Sequence, residues 1–232
     1  MTLPVAILAG GLATRLFPTT ATIPKSLVDV AGQPFVVHQL ALLRAAGIPR
    51  VVMCLGHLGE QVEGLLGDGR AHGIEVAYSY DGGTLLGTGG ALRRALPLLG
   101  ERFLVLYGDS YLRCDYAAIA RAFVASGMRG LMTVYRNDGA HDASNVSFVA
   151  GKILRYEKGV PGMTHIDYGL GALHADALAG HPQGEGERFD LVTVYQALLA
   201  RDELAGYEVH ERFYEIGSPR GLAETRALLE NA

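Results

Sequence analysis

Residues 5–16 read VAILAGGLATRL and contain the first structural unit of the chain. Residues 5–9 are a short, continuous apolar run that ends at two glycines, a pattern typical of a buried strand followed by a tight loop. The same unit recurs, because similar apolar runs alternate with stretches whose apolar residues have helical spacing. We therefore predict strands over residues 5–9, 51–55, 75–80 and 103–107, and helices over residues 35–46, 60–66, 91–99 and 116–126.

This alternation predicts an α/β fold, a Rossmann-like three-layer α/β/α arrangement with a mostly parallel sheet covered on both faces. After residue 130 the pattern changes to a hairpin-rich insertion, and helices return near the end of the chain. No internal repeat or low-complexity linker is evident, so we predict a single domain over residues 1–232, with halves 1–130 and 131–232. The later predicted elements are strands 131–136, 145–149 and 152–156, and helices 191–200 and 220–229.

Composition and charge exclude several classes of protein. The net charge is −4, so no global basic field is available to hold a nucleic acid. The two cysteines, Cys54 and Cys114, have neither a disulfide framework nor the spacing of a zinc site. The first residues lack the basic segment of a signal peptide, and their apolar run is too short to span a membrane. We expect a cytoplasmic protein with no nucleic-acid or membrane partner.

The loop after the first strand is a candidate phosphate site. Ligands of open α/β sheets bind beyond the carboxyl ends of the strands, and Gly10 and Gly11 let backbone N–H groups face a phosphate closely. Arg15 can hold phosphate oxygens with its planar fork, and Lys25 can supply a second cation. The alternative is a tight turn with a solvated arginine and lysine. The glycine spacing fits neither a dinucleotide fingerprint nor a P-loop.

The longer stretch 10–34, GGLATRLFPTTATIPKSLVDVAGQP, resembles the signature of the sugar-1-phosphate nucleotidyltransferases. The resemblance implies the nucleotide-diphospho-sugar transferase fold, with a nucleoside triphosphate and a sugar 1-phosphate as partners and Mg²⁺ as cofactor. It implies a nucleotide-binding first half and a sugar-phosphate-binding second half. It assigns catalytic roles to Arg15, Lys25 and Asp109, nucleotide binding to Leu8, Gly10, Gly11 and Arg15, and sugar-phosphate binding to Lys25. The matching positions are Gly10, Gly11, Thr14, Arg15, Leu16, Pro18, Thr20, Pro24, Lys25, Gly32 and Pro34.

A second glycine-rich loop, GGTLLGTGG over residues 82–90, precedes the predicted helix 91–99. Its glycines indicate close approach of the backbone to a ligand. The resemblance assigns Gly87, Thr88 and Gly89 to nucleotide binding. The loop can also be a glycine-rich turn that begins the helix, and both interpretations can hold together.

Two acidic residues are candidate metal ligands. Asp109 follows the strand 103–107 after a glycine, and a carboxylate there is a suitable oxygen ligand for Mg²⁺, although Gly-Asp at a strand end is often only a turn. The resemblance makes Asp109 the metal aspartate. Residues 213–219, FYEIGSP, resemble a later motif whose acid is usually aspartate and is the second metal ligand. Here the acid is Glu215, which could reach the metal directly or through water, or be a strand-end charge near a helix N-terminus.

Three looser matches lie in the second half. The resemblance assigns sugar-phosphate binding to Glu157 and Lys158, to Asp167 before a Tyr-Gly pair, and to Asn145 at a strand edge. A carboxylate suits sugar hydroxyls and an ammonium group suits a phosphate. On local grounds each segment can equally be a surface strand with ordinary polar residues.

The segment LGTGGA, residues 86–91, is closest in pattern to the D-glycero-D-manno-heptose 1-phosphate guanylyltransferases. We therefore expect GTP and a heptose or mannose 1-phosphate as substrates. Alternatives are uridylyl transfer to a hexose or N-acetylmuramate 1-phosphate, cytidylyl or thymidylyl transfer, and a non-catalytic regulatory subunit that binds nucleotide sugars. A homodimer is compatible with the family.

Overall fold

The computed structural model describes residues 2–180 and 187–231. Its strands are β1 Val5–Leu8, β2 Asp29–Val30, β3 Gln33–Pro34, β4 Arg50–Leu55, β5 Glu75–Tyr80, β6 Arg102–Tyr107, β7 Ser110–Leu112, β8 Gly130–Arg136, β9 Val146–Val149, β10 Lys152–Tyr156, β11 His165–His174, β12 Leu204–Val209 and β13 Phe213–Glu215. Its α-helices are α1 Phe35–Ala45, α2 Gly59–Leu66, α3 Gly87–Leu99, α4 Tyr116–Ser126, α5 Leu191–Leu199 and α6 Pro219–Glu230.

One nine-stranded sheet contains strands from both halves of the sequence. Its parallel part has the order β6-β1-β4-β5, and β11 continues the sheet antiparallel to β6. Beyond β11 lie the β9–β10 hairpin and the parallel pair β8 and β12. The mostly parallel sheet with flanking helices confirms the predicted fold class.

The helices cover both faces of this sheet. Buried side chains of α1, α2 and α4, such as Leu40, Val62 and Phe123, pack with Ile7 of β1. On the opposite face, Leu92 of α3 and Val194 of α5 pack in a second cluster. Alternate residues of β1 enter opposite clusters, as the two-residue period of a strand requires. No helix in the described ranges is both long and apolar enough to cross a membrane.

The second half contains the predicted hairpin, a strand β11 that the sequence offered only as an alternative for the segment around Asp167, and a strand β12 that it did not indicate. The turn between β9 and β10 has positive φ angles at Ala150 (48°) and Gly151 (82°), the backbone of a tight hairpin turn. The local signals of β11 and β12 are weak because their sequences, HIDYGLGALH and LAGYEV, interrupt the apolar pattern with glycines and charges. They are strands because they pair with β8 along most of their length.

The carboxyl ends of the parallel strands meet at one edge of the sheet. Leu8 is level with Tyr107 of β6 and with Cys54 of β4, and Leu55 is level with Tyr80 of β5. The loops that follow β1, β4, β5 and β6 therefore emerge side by side. This edge is where open α/β sheets bind their ligands.

Candidate functional site

A cavity of about 470 Å³ opens at this edge of the sheet. It brings together residues from both glycine-rich loops and from the end of β6. Of the residues predicted from the sequence, those that line it are Leu8, Gly10, Gly11, Lys25, Gly87, Thr88 and Asp109. This volume is within the range of pockets that hold small ligands.

The two glycines of the first loop have different surroundings. A Cβ on Gly10 would lie 3.0 Å from the backbone nitrogen of Gly56, in the loop after β4. Gly10 is therefore needed for the close packing of two loops. A Cβ on Gly11 would meet nothing within 4 Å, so the backbone there faces open space. Gly11 is the one of the pair whose surroundings leave room for a ligand.

Asp109 is fixed beside β1 and faces two basic side chains. The N–H of Gly108 donates to the Leu8 carbonyl (3.0 Å), which holds the turn that carries Asp109. Lys25 Nζ lies 2.6 Å from Asp109 Oδ2, and both side chains are about four-fifths buried. A Cβ on Gly217 would lie 2.8 Å from Asp109 Oδ2 and 3.1 Å from Arg15 Nη2. Arg15 and Lys25 thus converge near the same carboxylate.

Glu215 reaches this place through a small second sheet. Strands β7 and β13 pair antiparallel, with Glu215 opposite Ser110, the residue after Asp109. The same Gly217 Cβ position lies 2.8 Å from Glu215 Oε2. The Glu215 carboxylate also accepts hydrogen bonds from the Gly217 N–H and, at 2.5 Å, from the Ser218 hydroxyl at the start of α6. The sequence predicted two alternative positions for Glu215, near Asp109 or at a helix N-terminus. In the structure Glu215 lies both near Asp109 and at the N-terminus of α6.

The two carboxylates fit the requirements of Mg²⁺. Within the described ranges no group of three or more acidic, histidine or cysteine side chains is placed to hold a metal. Mg²⁺ sites that act on phosphates commonly use one or two carboxylates, with the remaining positions filled by phosphate oxygens and water. Asp109 and Glu215 supply two such carboxylates, and the basic side chains of Lys25 and Arg15 lie beside them.

The second glycine-rich loop is partly covered by the chain itself. Phe189 packs on the first turn of α3, where its N–H donates to the Leu86 carbonyl (3.0 Å). Its own carbonyl accepts from the N–H groups of Gly89 (3.0 Å) and Gly90 (3.2 Å). Two of the N–H groups that a helix N-terminus leaves unpaired are satisfied in this way. The glycines of α3 thus have a packing role, and helix α3 begins four residues earlier than predicted.

Gly89→Ala is expected to destabilise the protein by about 1–3 kcal/mol, because the added Cβ overpacks a filled site. That Cβ would lie 2.4 Å from the ring of Phe189, which is 7% exposed. Gly64→Ala, in the middle of α2 with nothing within 4 Å, is the matched control and should stabilise by up to about 1 kcal/mol. Urea unfolding of both variants measures the difference. Equal stabilities would show that Phe189 does not depend on Gly89.

The start of α5 lies beside the start of α3. Asp190 Oδ1 accepts from the Thr88 N–H (3.3 Å), and the Thr88 hydroxyl accepts from the Leu191 N–H (2.7 Å). Each helix thus receives a cap from the other. Arg188 and Asp190, on either side of Phe189, line the cavity. The sequence offered no signal for either residue, since they lie about a hundred positions from the loop they face.

Asp81 is a buried carboxylate in the cavity wall. It follows β5 directly, is 7% exposed, and accepts through Oδ2 from the Leu86 N–H (3.1 Å). Burial raises the pKa of Asp81, while the Leu86 bond and the charge of Arg94 oppose that rise. Asp81 was not predicted as a site residue. A weaker signal was present, because Asp81 directly follows the predicted strand 75–80.

Asn145 and Asp167, which were both predicted to bind the sugar phosphate, are hydrogen-bonded to each other. Neither residue is among those that line the cavity. Asn145 Oδ1 accepts from the Asp167 N–H (2.9 Å). The Asp167 carboxylate accepts from the hydroxyls of Tyr156 (3.0 Å) and Tyr107 (3.3 Å) and from the Gly169 N–H (3.0 Å). Burial raises the pKa of Asp167. Tyr107 lines the cavity and so links it to this group.

Glu157 and Lys158 lie next to this group on the exposed surface. The Glu157 N–H donates to the Asn145 carbonyl (2.9 Å), which holds the pair beside Asp167. The Glu157 carboxylate accepts from Arg155 at 2.7 and 2.9 Å. The charge of Lys158 lowers the pKa of Asp167 against the effect of burial. Sugar-phosphate binding by these residues stays a prediction.

Neither cysteine fits the role of a nucleophile. Burial, followed by the charge of Asp81, raises the pKa of Cys54 in the cavity wall to about 12. Burial, followed by the charges of Glu211 and Asp115, raises the pKa of Cys114 to about 12. Both thiols are therefore neutral at physiological pH, and a thiol is a much weaker nucleophile than a thiolate. The arrangement favours reactions between bound substrates over a covalent cysteine intermediate.

Comparison with known proteins gives consistent matches. The profile of the nucleotidyl transferase family matches residues 5–144. The chain is 30% identical over 226 residues to the N-acetylmuramate alpha-1-phosphate uridylyltransferase of Neisseria meningitidis serogroup B, and the match covers 96% of each protein. It is 33% identical over 132 residues to the mannose-1-phosphate guanyltransferase of Schizosaccharomyces pombe, which covers 55% of this chain and 36% of that protein.

Solved structures share the fold. HddC from Yersinia pseudotuberculosis, in complex with GMP-PN, superimposes with a TM-score of 0.80 over 98% of this chain and 100% of that one. Its sequence identity to this chain is 23%, so the similarity supports only a shared fold.

Proposed function

This chain belongs to the nucleotidyl transferase family and is an enzyme of the sugar-1-phosphate nucleotidyltransferase type, and we propose that its nucleotide substrate is GTP. In the proposed reaction, GTP and a heptose or mannose 1-phosphate form a GDP-sugar and pyrophosphate. The observation that carries the nucleotide assignment is the buried carboxylate of Asp81 in the cavity wall.

A carboxylate distinguishes the bases by their hydrogen-bonding edges. Guanine presents two adjacent donors, N1–H and the N2 amino group, which can both bond to one carboxylate. Uracil presents a single N–H between two carbonyl oxygens, and those oxygens are repelled by a carboxylate. The bond from the Leu86 N–H orients the Asp81 carboxylate and leaves it further acceptor positions. The chemistry of Asp81 therefore favours guanine over uracil.

The residues at the end of β6 suit direct transfer between two phosphates. A phosphate monoester has a second pKa of about 6, so the sugar 1-phosphate is already ionised near neutral pH and needs no general base. Its oxygen would attack the α-phosphorus in line, and the bond to the pyrophosphate leaving group would break. Lys25 and Lys158 would hold the attacking phosphate, while Arg15 and the Gly10 and Gly11 N–H groups would stabilise the departing pyrophosphate. Positioning and charge neutralisation would supply the catalysis.

We further propose that Asp109 and Glu215 hold Mg²⁺. A bound Mg²⁺ would supply neutralisation of charge at the reacting phosphates. Lys25, now 2.6 Å from Asp109, would then be released toward the attacking phosphate. Ser218, by bonding the Glu215 carboxylate, would keep that carboxylate turned to Asp109.

Uridylyl transfer to N-acetylmuramate 1-phosphate is the second candidate. It is favoured by the match to the Neisseria uridylyltransferase, which covers 96% of each chain, whereas the match to the yeast guanyltransferase covers 55% of this chain. A non-catalytic regulatory subunit is disfavoured, since Arg15, Lys25 and Asp109 lie together at the end of β6.

The test measures the release of pyrophosphate when the protein is incubated with Mg²⁺, a panel of sugar 1-phosphates and one nucleotide at a time. The nucleotides are GTP, UTP, CTP, dTTP and ATP. We expect release with GTP and a heptose or mannose 1-phosphate, and its loss when EDTA is added. Release with UTP and N-acetylmuramate 1-phosphate would replace the first candidate by the second. If a folded protein that binds a nucleotide sugar released no pyrophosphate with any of these substrate pairs, the result would favour the regulatory subunit.

A further inference from the structure

The lining of the cavity has more acidic than basic side chains, although its proposed substrates are anions. Its described lining contains three carboxylates, Asp81, Asp109 and Asp190, and two basic residues, Lys25 and Arg188. A nucleoside triphosphate and a sugar phosphate would add several more negative charges. Burying charge without a partner is costly, so each phosphate must find a cation. The basic side chains at the cavity therefore decide where phosphates can bind.

The two basic residues of the signature loop already face carboxylates. Lys25 Nζ lies 2.6 Å from Asp109, and Arg15 points to the place between Asp109 and Glu215. Arg188 is different, because unlike Arg15 it lines the cavity and unlike Lys25 it makes no ion pair with any described carboxylate. Arg188 is an exposed residue, and an unpaired guanidinium can take a phosphate group with two parallel N–H bonds.

The position of Arg188 is held by its neighbours. Phe189 is held at the first turn of α3 by three backbone hydrogen bonds. Its ring packs closely against Gly89, where a Cβ would take up the space of the ring. Asp190 is fixed to Thr88 on the same turn. The backbone that carries Arg188 is therefore anchored at the first turn of α3, which also lines the cavity. An anchored cation loses less entropy on binding than a mobile one.

We propose that Arg188 is a phosphate-binding residue of this site, contributed by the second half of the chain. It binds phosphate oxygens of the nucleotide or of the sugar 1-phosphate, in the cavity that Lys25 also lines. Phe189 and the glycines of α3 are positioning residues for it. The inference rests on the proposed function, because it takes the cavity to be the place where phosphate-bearing substrates meet.

Arg188→Gln tests the proposal by equilibrium binding. We expect the Kd for GTP, measured by calorimetry with Mg²⁺, to rise about tenfold or more, as for the loss of a charge-assisted pair of hydrogen bonds. GMP and mannose 1-phosphate are titrated in parallel. A rise for GTP with little change for GMP would place Arg188 at the β- and γ-phosphates, and a rise for mannose 1-phosphate would place it at the sugar phosphate.

Arg121→Gln is the control, since Arg121 lies on α4 with its side chain 62% exposed, and its binding should equal that of the unaltered chain. Arg188→Lys should recover part of the affinity, because it restores the charge but not the planar fork. Unchanged Kd values for all three ligands in a folded Arg188→Gln protein would overturn the proposal. Weaker GTP binding in a protein that releases no pyrophosphate with any substrate pair would keep the phosphate site and remove the proposed reaction instead.

Discussion

Asp109→Asn is expected to lower kcat by about a hundredfold or more while the protein stays folded. The substitution keeps the size of the side chain and removes the charge that faces Lys25 at 2.6 Å and Glu215 across Gly217. Metal ions prefer a carboxylate to a neutral amide, so the concentration of Mg²⁺ that gives half-maximal rate should also rise. Pyrophosphate release, followed as Mg²⁺ is titrated, measures both effects.

Asp68→Asn is the matched control for Asp109. Asp68 pairs with Arg70 on the surface, where an ion pair contributes little, and its kcat should be unchanged. Thermal unfolding of both variants separates loss of activity from loss of structure. A folded Asp109→Asn protein with near-normal kcat and an unchanged Mg²⁺ requirement would show that this carboxylate does not hold the metal.

Asp81→Asn is expected to lower the ratio of kcat/KM for GTP to that for UTP by about a hundredfold or more. The amide presents one acceptor and one donor, which suits the edge of uracil and leaves a guanine donor unpaired. The amide oxygen can still accept from the Leu86 N–H, so the loop before α3 should keep its shape. Steady-state rates with each nucleotide, at a saturating concentration of the sugar 1-phosphate, measure the ratio.

The pH dependence of nucleotide binding gives an independent check on Asp81. Burial raises the pKa of this carboxyl, so it gains its proton at a higher pH than an exposed aspartate. GTP affinity should be highest above that raised pKa and should fall as the pH decreases through it.

Glu75→Gln is the control for Asp81→Asn. Glu75 lies at the opposite end of β5 and pairs with Arg50, so this variant should leave the ratio of kcat/KM for GTP to that for UTP unchanged. An Asp81→Asn protein with the original ratio would show that Asp81 does not select the base.

Local patterns predicted the parallel part of the fold. The runs at β1, β4 and β6 are apolar because each of these strands is buried on both faces, and this is visible in any short window. The strand β5, at the edge of the sheet, is only partly buried and mixes polar with apolar residues. The loops at their carboxyl ends follow from the topology rule that all such ends meet at one edge. Gly10, Gly11 and Asp109 were placed at that edge for this reason, whereas Leu8 was assigned through the family resemblance, and all four line the cavity.

The other strands of the site depend on distant partners. Glu215 comes to Asp109 only because β13 pairs with β7, about a hundred residues earlier in the chain. In the same way β11 and β12 are strands because β8 lies beside them, although their sequences carry weak local signals. Periodicity and turn residues do not reveal a pairing between segments far apart, and only the resemblance of residues 213–219 to a known motif linked Glu215 to Asp109.

The glycines of α3 show the same division between local and long-range causes. Their sequence indicated that something approaches the backbone closely, and the structure shows that Phe189 is one such neighbour. Asp81 and Arg188 became part of the cavity wall only when the sheet edge and the start of α5 came together. Strand periodicity and turn residues act over a few positions, so the sequence alone could predict them. Which side chains share a cavity depends on packing between segments far apart in the chain, and only the folded structure could decide that.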